Sequence, residues 1–283
     1  MRLLITSLAL FLTSFAGAQR TPRQMSPSVK QSYLGFDRND YPGDDALPAL
    51  RRHFSFAGYW LNNPPGERRN SWQGKREALL RQGFGFLVLF NGRLDAEILK
   101  ARKSGTAPVL LGQSDATAAT AAARREHFPP NTILFLDQEQ GGRLLAEQAA
   151  YLLAWTEAVA NSSYRPGVYA SGQPVNEGHG HTITTAEDIN NQVATHHLHK
   201  IALWIAQDSC PPSNGCTLQS PALAAGGTPD ATAWQYSQSP RRESITAACA
   251  KTYASDGNCY APGLPGLYLD LNIANSSDPS HGR

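Results

Sequence analysis

The stretch Thr132-Ile-Leu-Phe-Leu-Asp137-Gln-Glu139 constrains this chain more than any other. Apolar and β-branched residues run together and stop at two carboxylates spaced i, i+2, and Gly141-Gly142 and a long amphipathic segment follow. A short run that is apolar on both faces reads as a buried parallel strand. Side chains two apart on a strand share a face, with their Cα atoms roughly 6–7 Å apart. Asp137 and Glu139 are therefore expected to point together beyond the strand's C-terminal end, where α/β folds bind ligands.

The flanking sequence supplies the rest of such a fold. Strand-like stretches at 34–37, 56–61, 84–90, 108–112, 167–170, 201–206, 233–237 and 267–273 alternate with helix-like ones at 44–53, 74–82, 94–104, 116–127, 143–161 and 186–198. In the 143–161 segment Leu145, Ala149, Leu152, Trp155 and Val159 recur at three- and four-residue steps and make one apolar stripe. This alternation predicts an α/β fold, a (β/α)8 TIM-type barrel in a single domain over 33–275, with irregular loops near the C-terminal end. A doubly wound open sheet would compete, but no G-x-G-x-x-G or P-loop sequence follows any strand.

Residues 1–18 carry one early cation, an apolar run and Ala16-Gly17-Ala18, the pattern of a cleavable signal peptide. The apolar run is too short to span a bilayer comfortably, so a secreted or periplasmic protein without stable membrane insertion is expected. Residues 19–32 are polar with two prolines and read as a disordered leader; 276–283 read as a flexible tail. The formal net charge is +2 with no basic stripe, which argues against a nucleic-acid partner, and a monomer is expected. All four cysteines fall late, at 210, 216, 249 and 259. An even count in an exported chain predicts disulfides, and the local pairs Cys210–Cys216 and Cys249–Cys259 are the expectation among three connectivities. The His179-Gly-His181 and His196-His197-Leu-His199 clusters are not assigned to a metal, and no cofactor is expected.

If strand ends converge on one mouth, they bring Asp37, Asn62, Asn91, Asp137, Glu139, Tyr169, Gln235, Tyr236, Asp270 and Asn272 together. Acids, amides and aromatics suit a neutral polyhydroxylated ligand, with Tyr59, Trp60, Trp204, Trp234 and Tyr236 as candidate stacking faces. Paired carboxylates serve glycoside hydrolysis: one donates a proton to the leaving oxygen, while the other stays ionised to activate water or stabilise positive charge. Like charges in one cavity push one pKa up and divide those roles. The residues alone do not choose which of Asp137 and Glu139 takes which role.

Gly35-Phe-Asp37, Asp137-Gln-Glu139, Gly167-Val-Tyr-Ala170, Leu203-Trp-Ile-Ala206, Trp234-Gln-Tyr-Ser237 and Leu269-Asp-Leu-Asn272 occur in this order. Together they resemble glycoside hydrolase family 25, the lysozyme-type muramidases. The front section, from Gly35-Phe-Asp-Arg-Asn39 through Tyr59-Trp-Leu-Asn-Asn-Pro-Pro65 and Gly83-Phe-Gly-Phe86, is closer to a related glycoside-hydrolase-like group whose activity is poorly defined. Arg38-Asn39-Asp40 replaces the small polar residues and tryptophan usual there in the muramidases. The resemblance implies a hydrolase of a cell-wall-type polysaccharide, with peptidoglycan-like glycan favoured. It makes Glu139 the general acid, Asp137 the charge-stabilising partner, and Asp37 and Asp270 further acids of the mouth. The alternatives are a non-catalytic glycan-binding module on the same barrel and a hydrolase of another exopolysaccharide.

Overall fold

The structure, a computed structural model, describes residues 31–283, so the expected signal peptide and all but the last two residues of the expected leader lie outside it. The apolar runs form β1 (Tyr33–Asp37), β2 (Phe56–Trp60), β3 (Gly85–Asn91), β4 (Ile133–Gln138) and β5 (Arg165–Ser171). A hairpin of β6 (Val175–Gly178) and β7 (His181–Ile183) follows, then β8 (Ala202–Ala206), β9 (Ala233–Ser237) and β10 (Asp270–Ala274). Helices α1 (Leu47–Arg51), α2 (Arg76–Arg81), α3 (Asp95–Lys103), α4 (Pro108–Arg125), α5 (Ala146–Ala160) and α6 (Thr185–Thr195) lie between them, and α7 (Glu243–Thr246) is a single turn.

Every strand outside the hairpin joins one closed barrel in the order β1-β10-β9-β8-β5-β4-β3-β2. Seven strands run parallel, as in a TIM-type barrel, whereas β10 runs antiparallel to both β1 and β9, so the barrel is mixed and not strictly (β/α)8. Ile133, Leu134, Phe135 and Leu136 of β4 are fully or almost fully buried, as a strand covered on both faces must be. In α5 the stripe residues Ala149, Leu152, Trp155 and Val159 are buried; Leu145 is exposed because it stands at the helix N-cap.

Three expectations are corrected. Segment 108–112 is the start of α4 and not a strand. Proline at the first helical position gives up an N–H that has no partner there, and the Ala-rich continuation propagates the helix. Gly112 also lets α4 approach α5, since a Cβ there would lie 2.3 Å from the Tyr151 carbonyl oxygen. Removing that segment from the strand set leaves eight strands, the number that closes the barrel.

The cysteines pair as Cys210–Cys249 and Cys216–Cys259, with Cα separations of 5.4 and 5.1 Å, and not locally. Each bridge joins the loop after β8 to the loop after β9. These strands are neighbours in the barrel, so their outgoing loops lie side by side.

Residues 276–283, expected as a flexible tail, are docked under the barrel. Ser280 donates its N–H to the Phe86 carbonyl at 2.8 Å and accepts from Ile133 N–H at 2.8 Å. Its hydroxyl accepts from Val88 N–H, and Asp278 accepts from Phe86 N–H, both at 2.9 Å. The segment thereby satisfies backbone groups at the starts of β3 and β4, where the two strands have not yet paired with each other. Among the described residues no helix is long and apolar enough to cross a membrane.

Candidate active site

Strand register builds the mouth. Asn91, Asp137 and Tyr169 are direct neighbours across β3, β4 and β5. Asp37 ends β1 opposite Asp270, which begins β10. Asp270 reaches the mouth because its strand is reversed: the entrance of an antiparallel strand lies beside the exits of parallel ones.

Asp37 is the most heavily bonded acid of the mouth. It accepts from Asn272 Nδ2 at 2.6 Å and from Gln235 Nε2 at 3.1 and 3.3 Å. Gln235 also donates to Asp270 at 3.3 Å and accepts the Tyr169 hydroxyl at 2.7 Å. Asn272 is held in turn by Trp204, whose Nε1 donates to its Oδ1 at 2.9 Å. Gly58 makes room for this arrangement, since a Cβ there would come within 2.5 Å of the Asp37 Cβ. Burial pushes the Asp37 carboxyl up to about 6, against the pull of the Asn272 and Gln235 hydrogen bonds. Burial also raises Asp270 well above the usual carboxylate range; the charge of Asp37 adds to this, and the Ser239 N–H opposes it.

Asp137 and Glu139 differ in their surroundings. Asp137 is buried, and its Oδ1 has no hydrogen-bond partner among the described residues. Its carboxyl lies well above the ordinary range, first through burial and then through the charges of Glu139 and Asp37. Glu139 is exposed, because β4 ends at Gln138 and the chain has already left the sheet. The expectation that Glu139 is the protonated member thus meets a resting structure in which burial favours the proton on Asp137.

Two cavities meet at this pair. One, of about 290 Å³, is lined by Asp37, Tyr169, Trp204, Gln235, Asp270 and the pair itself. The other, of about 340 Å³, is lined by Asn62, Phe90, Asn91, Arg93 and again Asp137 and Glu139. A cleft therefore runs across the mouth with the two carboxylates at its middle.

Residues 54–249, well over half of the chain, match the family model described as Rv2525c-like, glycoside hydrolase-like domain. The chain belongs to that family. Membership agrees with the resemblance of the front section to a glycoside-hydrolase-like group. A search of curated proteins found no match. A crystal structure of an uncharacterized B. stearothermophilus protein is similar in fold, with a TM-score of 0.52 at 22% identity over 86% of this chain and 95% of that one. The Mycobacterium tuberculosis Tat-secreted protein Rv2525c gives 0.49 at 13% identity, over 89% and 98%. The muramidase from Trichobolus zukalii gives 0.47 at 14%, over 89% and 100%.

In this family member, Asp37, Asp137, Glu139, Tyr169, Trp204 and Asp270 line one side of the cleft, and Asn62 and Asn91 the other. Asn272 lies behind Asp37 as its hydrogen-bond donor. Three expected stacking residues do not reach the cleft. Tyr59 packs between sheet and helices and donates to Glu126 at 2.5 Å. Trp234 and Tyr236 are fully buried, donating to the carbonyls of Gln207 and Thr217. They are aromatic residues with a polar tip that serve packing. Among the cleft residues not singled out from sequence are Tyr268 and Arg93. Tyr268, 41% exposed, lines the first cavity with the Arg38 guanidinium 5.3 Å from its ring centroid. Arg93 lines the second and has one weak sequence signal, its place two residues after a strand end. Of the histidines, His179 and His181 stand exposed on the β6–β7 hairpin, and no group of three metal-binding side chains occurs among the described residues.

Proposed function

We propose that the protein is an exported glycoside hydrolase acting on a cell-wall-type polysaccharide, with peptidoglycan-like glycan favoured. The observation that carries this is the position of Asp137 and Glu139 at the junction of two cavities. A glycan threaded through the cleft would present one glycosidic bond to both carboxylates, with a sugar on either side. Membership in a glycoside hydrolase-like family supports the same reading.

Glu139 is the proposed general acid, because it alone of the pair stands open to a leaving oxygen in the cleft. Asp137, with Asp37 and Asp270 beside it, stabilises the positive charge that develops on the sugar. In the empty cleft burial favours the protonated form of Asp137. Oxocarbenium-like charge on the ring next to Asp137 favours that carboxylate in its ionised form.

Release of reducing ends from a polysaccharide panel that includes peptidoglycan tests the reading, with wild type beside Glu139→Gln. Wild type should hydrolyse at least one member, and the variant should be about 10²–10⁴-fold slower with binding retained, since the amide keeps the shape and loses the proton. Binding without hydrolysis by wild type across the whole panel would instead make the barrel a glycan-binding module.

A further inference from the structure

Beyond Ser237 and Leu271, the last paired residues of β9 and β10 at the mouth, a side chain holds the two segments together. The Ser239 hydroxyl donates to the Leu269 carbonyl at 2.9 Å and accepts the Cys259 N–H at 2.8 Å. Leu269 gives its own N–H to the Cys259 carbonyl at 2.7 Å, which closes a ring of three hydrogen bonds. Cys259 is buried, and its bridge to Cys216 ties the ring to the loop after β8. With its side chain fixed in this way, Ser239 directs its backbone N–H at Oδ1 of Asp270. The other donor to this carboxylate, Gln235 Nε2 at 3.3 Å, is shared with both oxygens of Asp37. Among the described residues, Ser239 is the donor that serves Asp270 alone.

We infer that Ser239 is a positioning residue for Asp270 and that the Cys216–Cys259 bridge acts through it to hold this carboxylate at the mouth. The inference rests on the glycosidase reading, in which Asp270 helps to stabilise positive charge on the sugar. A carboxylate does that only when ionised, and burial together with the charge of Asp37 works against ionisation here. A hydrogen bond from a backbone N–H favours the charged form, and it does so only while the donor is held in line. The partners that fix Ser239 stand 20 and 30 residues away in the chain, so its aim is set by the fold and not by the local turn. The titratable and charged groups facing Asp270 are Asp37 and Arg38 at the end of β1, Tyr169 on β5, Asp208 after β8 and Tyr253 after α7. None of them bonds to the Ser239 hydroxyl, so a change confined to that hydroxyl isolates its effect.

Carbon-13 NMR of the aspartate carboxyls tests this without substrate, the Asp270 resonance being assigned by its loss in Asp270→Asn. Ser239→Ala should raise the Asp270 titration midpoint by about one pH unit, the size expected when a charged group loses a hydrogen bond. Ser239→Thr keeps the hydroxyl and should restore the wild-type midpoint, which a loss of packing alone would not do. Combining Cys216→Ser with Cys259→Ser leaves Ser239 in place and removes its anchor; it should move the midpoint the same way, and it carries the test should Ser239→Ala fail to fold. A midpoint unmoved by Ser239→Ala, a rise that Ser239→Thr does not reverse, or a midpoint unmoved by loss of the bridge overturns the inference. A wild type that hydrolyses no glycan overturns the glycosidase reading and leaves these midpoints as they are.

Discussion

Replacing Asp37 with asparagine should change how the stability of this protein depends on pH. In the folded chain burial holds the Asp37 carboxyl at about 6, against an ordinary value of 3.8. A gap of about two pH units, at 1.36 kcal/mol each, corresponds to about 3 kcal/mol. The sign follows from which state holds the proton more tightly. Between pH 4 and 6 the folded chain keeps a proton that the unfolded chain has released, so stability falls as pH rises. The contribution is complete below the unfolded value and gone once the pH has passed the folded one. An amide at this position cannot ionise, so the variant lacks this loss while filling the same space beside Gly58. Urea unfolding of wild type and Asp37→Asn at intervals from pH 4 to pH 8 measures the difference. The variant should gain about 3 kcal/mol on wild type between pH 4 and pH 7. Part of any excess will come from Asp137 and Asp270, because the charge of Asp37 raises both and its removal acts with the same sign. Stability curves that run parallel across this range would refute the burial argument for the whole acidic mouth.

Two further outcomes test the corrected parts of the fold. Peptide mapping without reduction should recover Cys210 linked to Cys249 and Cys216 linked to Cys259; the loops they close, with sequence separations of 39 and 43, imply about 4 kcal/mol for each bridge on the loop-entropy account. Deleting residues 278–283 should leave the N–H groups of Phe86, Val88 and Ile133 without partners at the barrel floor; the cost should be on the order of 5 kcal/mol and lower Tm by roughly 10 °C or more, read by calorimetry.

The sequence by itself determined what local pattern can determine. Runs apolar on both faces specified the parallel strands, and one of them specified where Asp137 would stand, because a hydrophobic strand must be covered and its polar terminus must emerge. The stripe in α5 was legible for the same reason, except at Leu145, which the N-cap turns outward. Pro108-Val-Leu-Leu-Gly112 was not legible, since five apolar residues suit a strand and a helix equally until α5 supplies a surface to pack on. Cysteine pairing depended on β8 and β9 being neighbours, a relation that no local loop length encodes. Tyr59, Trp234 and Tyr236 looked like cleft aromatics because residue type does not reveal which face of a strand is covered by helices. Asp270 was assigned to the mouth from its place in the last strand, and only the reversal of β10 puts it there. The i, i+2 spacing of Asp137 and Glu139 implied equal neighbours on one face. The sheet ends between them at Gln138, so one carboxylate is buried and the other open, and that difference in burial is a property of the folded barrel.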